Sequence, residues 1–235
     1  MITDFHSHIL PGVDDGSQSV EESLALLRME AEQGIHHIVA TPHFYPRHDD
    51  LQRFLDRREE AESILREAMG IEQDFPRISL GAEVYFFSGI SESDLLSQLT
   101  IDKKGYILLE MPQSPWSNQI YREVENIYVK QNITPIIAHV DRYIDLFRTH
   151  GIPERLAELP VLVQANASFF LRRRTMGMAM RMLRKGQIHL LGSDCHNLTN
   201  RPPRLGHAVE MISDRLGDQA LEQIVRCADC VLNDE

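Results

Sequence analysis

Residues 2–8 read ITDFHSH, and the stretch that follows, ILPGVDDGS to residue 17, reads as a loop. An apolar run from Ile2 to Phe5 hands over directly to two histidines, His6 and His8, which share a face because strand side chains alternate. Alone, H-x-H is a weak sign, since two histidines on one strand are as often structural as functional. Its weight comes from what the rest of the chain does. A second apolar run, Ile35 to Thr41, ends at His43 in ATPH, and ISLGAE (78–83) ends at Glu83. YILLE (106–110) ends at Glu110, TPIIAH (134–139) at His139, and IHLLGSD (188–194) at Asp194, with His196 just beyond. Only the run PVLVQAN (160–166) has neither imidazole nor carboxylate at its end.

Helical periodicity separates these runs. Ser19 with Glu22 predicts a capping box that opens a helix with Leu24, Leu27 and Ala31 on one face and Gly34 to close it. Further helices are predicted over about 50–69, near Leu95, over about 119–131, after His139, over the Met-rich 175–185 and after Arg204. Strict alternation with unbroken apolar strands predicts a parallel sheet covered by helices. Seven such units predict an α/β fold, a distorted (β/α)7 TIM-like barrel forming a single domain over 1–235. An open doubly wound sheet would collect its ligands at one crevice, not at nearly every strand end. In a barrel the carboxyl ends converge on one mouth, so His6, His8, His43, Glu83, Glu110, His139, Asp194 and His196 are expected around one site. Asp15, in the first loop, can reach the same mouth.

The 235 residues carry 24 Lys and Arg against 35 Asp and Glu, a formal charge of −11. An acidic chain with no block of basic residues is a poor partner for nucleic acid or anionic lipid. Three cysteines make no disulfide framework, the N-terminus lacks a signal-peptide apolar core, and no run of about 20 apolar residues exists to span a membrane. The expected compartment is the cytoplasm.

Buried carboxylates at strand ends are costly without a cation. Imidazole plus carboxylate without thiolate suits manganese, iron, zinc or magnesium, and nine candidate ligands are too many for one ion. Two or three divalent ions sharing a bridging carboxylate is the arrangement that hydrolyses phosphate esters.

The segments DFHSHILPGVDDG, ATPH, GAE, LLE, IIAHVDRY, NAS and GSDCHN with RPP, in order from Ile2 to Pro203, resemble the motifs of the PHP (polymerase and histidinol phosphatase) superfamily. They are most similar to its bacterial metal-dependent protein tyrosine phosphatases of capsule and exopolysaccharide synthesis. The resemblance implies two or three ions, manganese foremost. His6, His8, Glu83 and Asp194 would hold one; Glu83, Glu110 and His139 a second; Asp15, His43 and His196 a third. It also implies that Arg142 and Arg201 hold phosphate and that metal-bound hydroxide attacks phosphorus directly. The implied partner is a phosphotyrosine protein, such as a tyrosine autokinase of polysaccharide synthesis, and an oligomeric state is compatible with it. Asp141 stands where the pattern has Glu, and Cys195 where a small residue is common.

Rival readings remain. Cys195 and Arg201 have the C-x5-R spacing of cysteine-dependent tyrosine phosphatases, but HNLTN lacks the glycine such a loop needs and Pro202 disfavours helix at Arg201. Cys227 and Cys230 read as thiols of a final helix rather than a metal pair. Phe44, Tyr45, Tyr85, Phe86 and Trp116 follow ligand-bearing strands and either rim the mouth for an aryl phosphate or cap the core. A histidinol-phosphate or other small phosphomonoester phosphatase is the runner-up, and a metal-binding regulatory partner without turnover stands further off.

Overall fold

Strand β1 (Thr3–Ser7) is buried along its whole length. The computed structural model describes residues 1–70, 74–146 and 151–233. Helix α1 (Val20–Glu32) follows, its cap Ser19 accepting from the Glu22 amide. The return arm of the capping box lands one residue early, because the Glu22 carboxylate takes the Gln18 amide at 3.0 Å. Next come β2 (His37–Ala40), β3 (His43–Phe44), α2 (Leu51–Met69), β4 (Arg77–Leu80) and β5 (Glu83–Tyr85). A short α3 (Leu96–Leu99) leads to β6 (Tyr106–Glu110), α4 (Asn118–Gln131), β7 (Thr134–Ile137), α5 (Val140–Leu146) and α6 (Ile152–Leu156). Strand β8 (Leu162–Asn166) passes into α7 (Ala167–Leu171) and α8 (Met176–Arg184). Strand β9 (Leu190–Gly192) precedes two helices, α9 (Leu205–Leu216) and α10 (Asp218–Asn233), where the sequence marks only a final helical region.

Every strand pairing is parallel, in two ladders, β1-β2-β4 and β3-β5-β6-β7-β8-β9. Among the described residues nine short segments thus stand where seven longer runs are predicted, because a further strand, β3, follows the second run beyond Pro42 and the third run is interrupted. Pro42 has no N–H to give the ladder, and the third run breaks at Gly81 and Ala82. Backbone hydrogen bonds still link neighbours at both gaps: the Thr41 amide donates to the Ser7 carbonyl at 2.8 Å, and the Glu83 amide to the Pro42 carbonyl at 3.0 Å. Buried Arg58 of α2 donates to the Gly81 carbonyl at 2.8 Å, so a helix holds the second break in place. Beyond β9 the chain returns to β1, the Asp194 amide donating to the His6 carbonyl at 2.7 Å and the His8 amide to the Cys195 carbonyl at 2.9 Å. The product is a curled parallel sheet in a mixed α/β fold.

Period-two alternation sorts the core into two layers. Phe5, Val39, Leu108, Ile136 and Leu190 meet Val231 of α10 on one side. Ile38, Ile107, Leu109, Ile137 and Leu191 pack with Leu26, Leu27, Phe54 and Leu65 of the helices on the other. Each such fully buried side chain contributes roughly 1.5–3 kcal/mol. Glu110 follows Leu108 on the same face, so the strand that seals the core also delivers a carboxylate to the end of the sheet. Among the described residues no helix is long and apolar enough to cross a membrane.

Candidate metal centre

A bulge in β1 aims the first two candidate ligands. Between Asp4 and Ser7 the register with β2 slips by one residue. A regular strand would send Phe5 and His6 to opposite faces; the slip keeps Phe5 in the apolar layer while His6 turns to the carboxyl ends of the strands. There Nε2 of His6 lies 3.1 Å from Nε2 of His8 and 3.0 Å from Oε2 of Glu83. His8 Nε2 is 3.4 Å from the same Glu83 oxygen, and both histidines are 3.6 Å from Asp194 Oδ1. The other Glu83 oxygen is 2.7 Å from His139 Nε2, itself 3.8 Å from Glu110 Oε1. His43 Nδ1 stands 3.0 Å from Glu83 Oε2, while His43 Nε2 and His196 Nε2 are each 3.5 Å from Asp15 Oδ1. All nine predicted ligands therefore meet, with Glu83 at the centre and Asp15 as the exposed member.

Four residues not singled out from the sequence orient this cluster. Asp4 accepts the His6 amide at 3.0 Å and the Ser193 amide at 2.8 Å, satisfying the donor that the bulge frees and tying β1 to the chain after β9. Asp14 accepts from His8 Nδ1 at 2.7 Å and from the His43 amide at 2.9 Å. Gln164 accepts the His139 amide at 2.6 Å and lies 3.4 Å from His6 Nδ1, and Asn166 donates to Asp194 Oδ2 at 2.9 Å. The last two come from β8, the one run without a ligand of its own. Its QAN ending was the available signal, since amides at a strand end orient ligands even where they do not ligate. His139 and Asp194 both have left-handed backbone, at φ 32° and 57°, conformations that cost of order 1–3 kcal/mol each and cluster at functional sites.

The donor chemistry fits divalent ions. Two buried imidazole nitrogens face each other at 3.1 Å, and Glu83 Oε2, His43 Nδ1, His139 Nδ1 and His196 Nε2 are buried without a hydrogen-bond partner. Unsatisfied buried lone pairs are costly, and a cation among them removes the cost. The sets His6, His8 and Asp194; His6, Glu83 and His139; His43, Glu83 and Glu110; and His8, Asp15, His43 and His196 each bring their ligand atoms within 4.8 Å. The field has the right sign. Burial opposes charge on Asp194, yet His6, His8 and Arg142 hold its carboxyl well below the usual range. Burial likewise opposes charge on His8, yet Asp14, Asp194 and Glu83 raise it well above the usual imidazole value. Burial and then His8 push His196 down to about 4, which keeps its ring neutral.

Arg142 Nη2 and Arg201 Nη2 reach Asp194 Oδ2 and Oδ1 at 2.5 and 2.6 Å, so both predicted phosphate-holding arginines sit at the cluster's edge. Asp141, the departure from the family pattern, accepts the Asn166 amide at 3.0 Å and so ties α5 to the end of β8. The aromatic residues divide. Phe44, Phe86 and Trp116 are buried and cap the core. Tyr45 is exposed, its ring stacked on His43 at 5.2 Å and 5.9 Å from Tyr85, and the two tyrosines line a cavity of about 540 Å³ with Phe87 and Arg47. Cys195 is fully buried, and burial followed by Glu30 and Asp4 raises its thiol well above the usual value, the reverse of an activated nucleophile. Cys227 is half-buried and Cys230 exposed, both on α10 and both free.

Fold and site together define a class: parallel α/β proteins whose strand ends gather a histidine and carboxylate cluster edged by arginines. Within that class the chain belongs to the family "Capsular polysaccharide synthesis, CpsB/CapC", whose model matches residues 2–233. It is 28% identical over 236 residues to the tyrosine-protein phosphatase CpsB of Streptococcus pneumoniae, covering 94% of this chain and 93% of that one. To the tyrosine-protein phosphatase YwqE of Bacillus subtilis it is 25% identical over 244 residues, covering 99% and 92%. A chain from the crystal structures of YwqE and CpsB, described as unique metal-dependent tyrosine phosphatases, superposes with a TM-score of 0.86 at 22% identity over 100% of this chain and 95% of that one. A dihydropyrimidinase from Brevibacillus agri shares the fold more distantly, at TM-score 0.55 and 11% identity, over 97% of this chain and 70% of that one.

Proposed function

We propose that this chain is a metal-dependent protein tyrosine phosphatase. The observation that carries the reading is one cluster of nine imidazole and carboxylate ligands edged by two arginines, in a family whose similar members are named tyrosine-protein phosphatases. We read β2 with β3 and β4 with β5 as single interrupted strands of a distorted (β/α)7 barrel that forms one domain over 1–235; the backbone hydrogen bonds across both gaps support this reading. His6, His8, Glu83 and Asp194 would hold one ion, Glu83, Glu110 and His139 a second, and Asp15, His43 and His196 a third, with manganese the first choice. Bound ions supply Lewis acidity and a water nucleophile of lowered pKa, which makes attack on phosphorus possible without a covalent enzyme intermediate.

The remaining work falls to the chain's own residues. Arg142 and Arg201 offer planar forks to phosphate oxygens, and charge held ready in this way does more for phosphoryl transfer than any covalent help from the protein. Tyr45 and Tyr85 offer the aromatic wall on which the tyrosine ring of the substrate lies. Buried Cys195 takes no part. The substrate is a phosphotyrosine protein, with a cytoplasmic tyrosine autokinase of polysaccharide synthesis as the proposed partner. Side-by-side assay of a phosphotyrosine peptide and histidinol phosphate, with metal supplied, tests this: the peptide should be the better substrate, and preference for histidinol phosphate would overturn it.

A further inference from the structure

A second cavity, of about 460 Å³, opens beside the cluster, and its walls carry four arginines, Arg142, Arg172, Arg201 and Arg204, against two carboxylates, Asp141 and Asp194. Arg142 and Arg201 each set one nitrogen on Asp194, the remaining N–H groups being the ones assigned above to the phosphate. Arg172, directly after α7, and Arg204, directly before α9, pair with no carboxylate among the described residues. Both are exposed. Arg172 and Arg204 thus put positive charge beside the reaction centre of a chain whose net charge is −11. Concave sites of one sign concentrate ligands of the other. The cavity is far larger than one phosphate group requires, and nothing in the reaction itself calls for two more guanidiniums.

We propose that Arg172 and Arg204 form an anion subsite that selects peptides carrying a negatively charged side chain next to the phosphotyrosine. This rests on the phosphatase reading above. With the phosphate at Arg142 and Arg201, the peptide crosses the rim, and a neighbouring residue, its Cα about 3.8 Å along the chain, brings its side chain over the same cavity. Arginine forks bind carboxylate and phosphate oxygens alike, so a flanking glutamate and a second phosphotyrosine share the chemistry. Two exposed guanidiniums on one anion give an expected preference of roughly threefold to tenfold in kcat/KM, falling as salt screens it.

The test compares the metal-loaded protein and its Arg172→Glu/Arg204→Glu variant on three peptides that differ in the residue beside the phosphotyrosine: glutamate, a second phosphotyrosine, or lysine. 4-Nitrophenyl phosphate, which has no flanking group, is the reference. The parent should prefer the anionic flanks, and the variant should reverse the ratio in favour of lysine, an inversion that a folding defect cannot produce. Preference for the second phosphotyrosine alone would assign the subsite to phosphate; equal preference would assign it to anions generally. A parent ratio near one, or a ratio the variant leaves unchanged, overturns the subsite while leaving the phosphatase reading intact. No turnover of any peptide or of 4-nitrophenyl phosphate overturns both.

Discussion

The carboxylate of Asp14 gathers the His8 ring, the His43 amide and the Gly16 amide without itself joining the gap between the imidazoles. By accepting from His8 Nδ1 it holds the ring so that Nε2 faces Glu83 and Asp194, the nitrogen left to ligate an ion bound there. Asp14→Asn should therefore weaken metal binding by about 10- to 100-fold with the fold intact, measured by chelator competition and circular dichroism. Unchanged affinity would show that the contact is incidental. The sequence displays the doublet Asp14–Asp15 and spacing brings the pair to the mouth, but which oxygen turns inward depends on the loop path. Gly16 sets that path, because a Cβ there would stand 2.3 Å from the His8 carbonyl. Eight of the nine candidate ligands were legible because each follows an apolar run, and Asp15 from its place in the loop after the first of them. Asp4, Gln164 and Asn166 were not, because their partners are backbone amides and side chains that only the assembled sheet brings near.

Strand β9 carries a tight junction between core and site. A Cβ on Gly192 would lie 2.6 Å from both Gln164 Nε2 and His6 Cβ. Gly192→Ala is thus expected to cost about 1–3 kcal/mol by overpacking and to loosen metal binding through His6, whereas Gly177→Ala in α8, with nothing within 4 Å, should be neutral or mildly stabilising. Thermal unfolding and metal titration of the two variants check this, and equal effects would contradict it. The helices were readable from caps such as Ser19 and from spacing, and the parallel arrangement from alternation. The interruptions of the second and third strands were not legible. Pro42 and Gly81 stand in the sequence, but a kink that leaves ladder hydrogen bonds intact on either side looks the same as a loop until the neighbours are in place.

At the scale of the whole molecule, a second buried cluster sits behind the first and shares Asp4 with its supports. Glu30 of α1, with both carboxyl oxygens unpartnered, lies beside Asp4 and Cys195. Burial and then the Asp4 charge raise its pKa well above the ordinary value of 4.5. A raised acid is protonated when folded, so its contribution is fully present below the unfolded pKa and is lost as pH rises through the folded value. Glu30→Gln, which cannot ionise, should raise the melting temperature more at pH 8 than at pH 5, at about 2–4 °C per kcal/mol for a domain of this size. A pH-independent difference would count against a protonated Glu30. Global charge reads differently at the centre. Four of the acidic residues and five of the eleven histidines converge on one place, so an acidic chain can present a cationic pocket once ions occupy it. The most direct measurement is turnover of a phosphotyrosine peptide before chelation, after chelation and after manganese is restored, with Cys195→Ser run alongside. Turnover lost on chelation, regained with manganese and retained in the cysteine variant is the predicted result; turnover that survives excess chelator, or that vanishes in metal-saturated Cys195→Ser, would contradict the account.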